Sequence, residues 1–166
     1  RDLHSFPTRR SSDLVQQMPD VKFFWVGGIP FKNLGADYGA MQRMMRNAPD
    51  NLTITGVIPL DDVRDYYVAA DIFVLPSVQE NHPMCVLEAA GAELPIVLRD
   101  IPQYDDTFKG DAIMAKTDDE FLSLIDMLHR DEQAYSEAQR GAKRIAKKFD
   151  SSAGAERLVE FYRSLI

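Results

Sequence analysis

Cysteine is nearly absent. The one thiol in 166 residues, Cys85, excludes an internal disulfide and any cysteine-rich metal site. Such usage fits a reducing compartment, so the cytoplasm is the expected location. Basic residues are in deficit, 19 Lys and Arg against 26 Asp and Glu, for a formal net charge of −7. Nucleic-acid backbones are bound by clustered Lys and Arg, so no nucleic-acid partner is expected. No apolar run approaches the roughly 18 residues of a membrane-spanning helix, so any membrane contact is expected to be peripheral. Internal repeats, low-complexity tracts and flexible linkers are missing too, which argues against a second domain.

What is present suits one compact domain: 45% of residues are hydrophobic and 27% charged, an ordinary balance for a packed core. Residues 1–14 (RDLHSFPTRRSSDL) have little apolar periodicity and resemble translated sequencing-adapter read-through. They are read as a non-native or unstructured leader, with a native basic arm as the alternative. The domain is expected to occupy residues 15–166.

From Val15 onward, short apolar runs alternate with segments of helical period, the pattern of an α/β fold with a parallel sheet and helices on both faces. Residues 21–26 (VKFFWV) read as a strand closed by Gly27-Gly28. Residues 34–46 read as a helix whose Leu34, Tyr38, Met41, Met44 and Met45 fill the core. Residues 52–55 form the next strand, and residues 60–69 a helix after Pro59, with Asp61 and Asp62 in its first turn rather than on a metal. Residues 72–75 are a strand, 84–92 a helix with Pro83 at its first position, and 96–98 and 111–115 further strands. Thr117 and Glu120 form a capping box before a helix carrying Phe121, Leu124, Ile125 and Leu128. Helices over 132–147 and 151–165 complete the chain.

Ligands of open parallel sheets bind beyond the carboxyl ends of the strands, at loops that run into helix N-termini. The candidate loops are therefore 27–32, 56–60, 76–84 and 99–104. The third lies in residues 71–100, DIFVLPSVQENHPMCVLEAAGAELPIVLRD, where Glu80 sits in a strand-to-helix loop and Glu88 eight positions on in the helix. Among 26 acidic residues such a spacing arises by chance, and each glutamate alone reads as a solvated charge. The surrounding order raises its weight: strand, Pro-Ser turn, glutamate, Pro-started helix, second glutamate, Pro-led strand.

In that order Ala70-Asp71, Pro76-Ser77, Glu80, Pro83-Met84, Leu87-Glu88-Ala89 and Leu94-Pro95-Ile96-Val97 resemble the retaining two-domain glycosyltransferases with a Glu-x7-Glu motif. Gly27, and Gly56 before Val57, also fit. The resemblance runs from about Val15 to the end and implies a Rossmann-like domain, the C-terminal, donor-binding half of a GT-B fold. It further implies that Glu80 acts at the transferred sugar as the catalytic residue. Glu88 is expected to accept from the donor ribose, and the backbone of Asn81, His82, Pro83, Met84 and Cys85 to hold sugar and diphosphate. Gly27, Gly28, Val57 and Ile58 complete the expected donor-binding set.

Physical chemistry suits those roles. A helix N-terminus holds a diphosphate through free N–H groups and its dipole, so no metal or other cofactor is expected. The family's glycine-rich stretch after the first glutamate is replaced here by Asn81-His82-Pro83-Met84. His82 reads as a donor contact or as a packing residue, and the Cys85 side chain as a small buried hydrophobe.

The run from Pro95 to Tyr104, PIVLRDIPQY, together with Glu80 to Met84, resembles bacterial glucosyltransferases that build glycolipids on diacylglycerol. That implies a UDP-sugar donor, glucose above all, a lipid or saccharide acceptor, and work at the inner face of the membrane. The bland reading of Arg99-Asp100 is a strand-end ion pair. In this family the donor half opens with a strand, a glycine turn and an Arg/Lys pair, and none is found before Val15. The chain is expected to lack that edge, to be inactive alone, and to leave its last helix's apolar face exposed for the other half. Two rivals stay open: the donor half of a UDP-sugar epimerase, and a flavodoxin-like interaction module without catalysis.

Overall fold

A computed structural model of the chain describes residues 15–28, 42–43 and 45–165. Its strands are β1 (Phe23–Trp25), β2 (Leu52–Ile54), β3 (Phe73–Leu75), β4 (Ile96–Arg99) and β5 (Ile113–Ala115). Its helices are α1 (Leu60–Ala69), α2 (Met84–Gly91), α3 (Asp118–Arg130), α4 (Glu132–Lys148) and α5 (Ser151–Arg163), with a 3-10 turn at Pro102–Tyr104. Of the helix expected over 34–46, residues 42, 43, 45 and 46 are helical and the rest lies outside the described residues. Met45 is 46% exposed, so it does not fill the core as expected: its position on the helix turns it to solvent.

Among the described residues, the paired strands all run parallel. They form two ladders, β1–β2 and β3–β4–β5, because no described strand bonds to both β1 and β3. Helix α1 spans the two through adjacent tyrosines: Tyr66 meets Phe24 of β1 edge-on at 6.1 Å, and Tyr67 packs against Phe73 of β3 at 6.0 Å.

Strand β4 is buried along its whole length, as the middle of a parallel sheet must be. Its side chains alternate between two cores. Ile96 and Leu98 join Val86, Ala89 and Ala90 of α2, Phe108, and Ala142 and Ile145 of α4. Val97 points the other way, to Ala115 of β5, Phe121 and Leu128 of α3 and Ala138 of α4. Helices therefore cover both faces, and each large apolar side chain buried there contributes about 2 kcal/mol.

Helix ends follow local chemistry. Pro59 and Pro83 stand at the N-cap of α1 and α2. For Pro83 this corrects the expected first helical position: its ψ of 117° is extended, so the helix begins one residue later. Thr117 Oγ1 accepts from the Glu120 N–H at 3.2 Å, but the Glu120 carboxylate reaches back to the Lys116 N–H, one residue beyond a standard box. Asp131 and Asp150 cap α4 and α5. Helix α5 buries no residue, and Leu158, Phe161 and Tyr162 are each more than half exposed. No described helix is long and apolar enough to cross a membrane.

Candidate functional site

The loop from Pro76 to Pro83 leaves the carboxyl end of β3 and is fixed at both ends. Ser77 is buried and its hydroxyl donates to the Gln79 carbonyl at 3.1 Å, closing the first turn. Pro83 is buried at the other end. Between them Val78, Gln79, Asn81 and His82 are exposed and Glu80 is half-buried.

Arg99 anchors the loop from below. Its guanidinium donates to the carbonyls of Pro76 (3.3 Å) and Lys116 (3.0 Å), pairs with Asp118, and lies 4.8 Å from the Phe121 ring centre. Arg99 therefore does not pair with its neighbour Asp100, because successive strand residues face opposite ways. Asp100 has Lys109 at 3.9 Å instead.

Helix α2 starts directly after the loop. No side chain caps it. Its first N–H groups, with Met84 and Cys85 in the opening turn, have no intrahelical partner and carry the positive end of the helix dipole. Met84 is exposed there.

Glu88 stands one turn further on, at the exposed surface of α2. The Tyr67 hydroxyl donates to Glu88 Oε2 at 2.9 Å, with the Cys85 carbonyl 3.4 Å away. Burial first, and then this bond, hold the Tyr67 hydroxyl well above its ordinary pKa, so it remains a donor throughout the neutral range. One oxygen of the Glu88 carboxylate is thus held by the protein.

Glu80 and Glu88 both lie within electrostatic reach of Cys85. Burial, followed by those two carboxylates, pushes the thiol up to about 11. Cys85 is accordingly a neutral packing thiol at neutral pH and no nucleophile. The His82 ring stacks on Phe108 at 5.5 Å between centroids and tilts against Phe149 at 5.1 Å, so the loop after Glu80 rests on an aromatic floor.

The other expected donor residues form a second cluster at the carboxyl ends of β1 and β2. Gly27 bridges Gly56, and its N–H donates to Thr55 Oγ1 at 3.2 Å. Gly28 lies so close to the next loop that a Cβ would stand 2.9 Å from the Val57 nitrogen. Gly27 adopts φ of 135° and Gly56 of 70°, which glycine tolerates best. Val57 is exposed and Ile58 half-buried. Packing between two loops therefore suffices to explain the glycines.

Tyr67 and the anchoring role of Arg99 escape a reading of the sequence alone. The available signal for the first is a tyrosine pair, Tyr66-Tyr67, in a helix with three aspartates.

Known proteins resemble this chain in sequence and in fold. Residues 4–131 match the family model for glycosyl transferases group 1. The chain is 30% identical over 149 residues to the alpha-galactosylglucosyldiacylglycerol synthase of Streptococcus pneumoniae, covering 90% of this chain and 40% of that protein. It is 30% identical over 123 residues to the processive diacylglycerol alpha-glucosyltransferase of Acholeplasma laidlawii, covering 72% of this chain and 36% of the relative. The chain thus spans well under half of either relative. Anabaena HepE, solved in complex with UDP, shares the fold with a TM-score of 0.78 at 18% identity, over 99% of this chain and 47% of that one. Parallel strands, helices on both faces and the family match agree: the chain belongs to the group 1 glycosyl transferases.

Proposed function

We propose that this chain is the donor-binding half of a retaining hexosyltransferase that moves glucose from UDP-glucose to a lipid hydroxyl, diacylglycerol being the favoured acceptor. The observation that carries the proposal is the juxtaposition of an uncapped helix N-terminus with Glu88, held by Tyr67. A nucleoside diphosphate presents the two features this arrangement fits: an anion for the amides of Met84 and Cys85, and a ribose diol for the free carboxylate oxygen of Glu88.

In this reading Glu80, with the backbone of Asn81 to Pro83, faces the transferred sugar. Departure of UDP builds negative charge on the diphosphate, and the α2 amides stabilise it without a metal ion or other cofactor. Gly27, Gly28, Val57 and Ile58 border the nucleotide from the neighbouring loop. The acceptor is held by the remainder of a longer enzyme, acting at the cytoplasmic face of the membrane.

One of the relatives named above is a diacylglycerol glucosyltransferase by name and the other a synthase of a glycosylated diacylglycerol, which supports the lipid acceptor. The family match favours transfer over both the epimerase and the non-catalytic reading.

The test is product analysis of the full-length protein given UDP-glucose with and without diacylglycerol. A glucosyl-diacylglycerol with the donor's anomeric configuration, formed only when acceptor is present, is the expected product. An epimerised UDP-sugar formed without acceptor would overturn the reading.

A further inference from the structure

Among the described residues, Tyr104 Oη is the buried side-chain polar atom without a hydrogen-bond partner. The residue is 1% exposed and ends the 3-10 turn that follows β4. A buried hydroxyl with no partner costs free energy, because the water it gave up is not replaced. Such groups are few in native proteins, and each calls for a structural or functional explanation.

Its surroundings point to one partner. The Tyr104 ring meets Phe108 edge-on at 5.3 Å, and Phe108 in turn stacks on His82, two residues after Glu80. The ring also lies in the core cluster with Val86, Ala89 and Ala90 of α2. Tyr104 therefore packs against α2, the helix that the Glu80 loop leads into, and the half-buried Glu80 carboxylate lies within electrostatic reach of its hydroxyl. Burial first, then the Glu80 charge, keep the hydroxyl protonated well above its ordinary range. A group in that state can donate at any physiological pH.

We propose that Tyr104 is a positioning residue for Glu80: when donor binds and the exposed stretch between Ser77 and Pro83 settles onto it, the Tyr104 hydroxyl donates to the Glu80 carboxylate and fixes its orientation toward the sugar. This rests on the donor-site reading above. It adds a residue outside the Glu80–Glu88 segment, contributed by the turn after β4.

Tyr104→Phe removes the hydroxyl and leaves the ring. If the hydroxyl finds its partner only in the donor-bound state, two readouts move apart. The melting temperature of the free protein stays level or rises, since an unsatisfied group has gone. Turnover of UDP-glucose by the full-length protein falls about 10-fold, the rate equivalent of one hydrogen bond to a charged group, with a smaller change in KM. In a Glu80→Leu background, which has no side-chain acceptor, the same substitution causes little further loss, because both changes break one interaction.

Unchanged turnover in Tyr104→Phe, or an equal loss in both backgrounds, overturns the proposal while leaving the donor-site reading intact. Wild-type protein that turns over no UDP-sugar overturns both. A lower melting temperature with unaltered kcat would identify the hydroxyl as a structural group bonded to a buried water, and would also overturn it.

Discussion

The Tyr67 hydroxyl donates to Glu88 Oε2 at 2.9 Å, joining α1 to α2 across 21 residues of sequence. This bond restrains the Glu88 carboxylate, and it couples the helix that bridges the two sheets to the helix that follows the Glu80 loop.

Tyr67→Phe tests that coupling. The ring and its packing on Phe73 survive, so the fold should lose only about 1 kcal/mol, as for one net hydrogen bond. Glu88 is then free to rotate, and UDP affinity should fall about 5-fold, the equivalent of the same energy. Isothermal titration of wild type and variant measures it. Undiminished affinity would mean that Tyr67 serves stability alone.

Arg99 should matter for stability more than its place at a strand end suggests. Arg99→Met strands the Pro76 and Lys116 carbonyls and the Asp118 carboxylate at once. Asp118 keeps 32% of its side chain in solvent, which places the loss at the lower end for a broken buried pair, about 3 kcal/mol by urea unfolding. Arg99→Lys should recover little, because a single ammonium cannot serve three acceptors in that planar arrangement.

Two helical glycines should respond oppositely to alanine. A Cβ on Gly141 of α4 would collide with the Asp111 carbonyl oxygen, and backbone cannot move aside cheaply; Gly141→Ala should cost about 2 kcal/mol. At Gly154 of α5 the nearest atom is the tip of Arg157, 4.0 Å away. Gly154→Ala should therefore stabilise by about 0.5–1 kcal/mol through the unfolded state. Melting curves of the two variants settle the signs.

Cys85 offers a pH readout. Its thiol is raised from about 9 to about 11 in the folded chain. Between those values the folded state keeps a proton that the unfolded state has released, so the stabilising contribution is full below pH 9 and is lost as pH rises through about 11. Alkylation of the folded protein by iodoacetamide should be slow at pH 8 and accelerate only toward pH 11. Rapid modification at pH 8 would contradict the burial and the two nearby carboxylates.

The local features of this fold were legible in the residues themselves. Prolines 59 and 83 mark where α1 and α2 begin, Thr117 marks α3, and the apolar run at 96–98 marks the central strand. What could not be read depends on contacts between distant segments. Arg99 passes over its neighbour Asp100 for Asp118, nineteen positions away, because the pleat turns the two side chains to opposite faces. Tyr67 reaches Glu88 only because α1 and α2 pack side by side, and no periodicity encodes that direction. The division into two ladders is likewise a property of pairing, which strand propensity does not specify. For the candidate site, the Glu80 and Glu88 spacing stands out only in its context of turns and prolines, and Tyr67, which holds Glu88, carries no motif.

The most direct test of a uridine-nucleotide site at α2 is an NMR titration of the folded chain with UDP, GDP and ADP, repeated on Glu88→Ala. The account expects UDP to shift the amides of Met84, Cys85 and their neighbours selectively, even with a Kd of about 1 mM, roughly −4 kcal/mol, and expects Glu88→Ala to abolish that selectivity. Equal response to all three nucleotides, or a UDP response that survives loss of the Glu88 carboxylate, would contradict it.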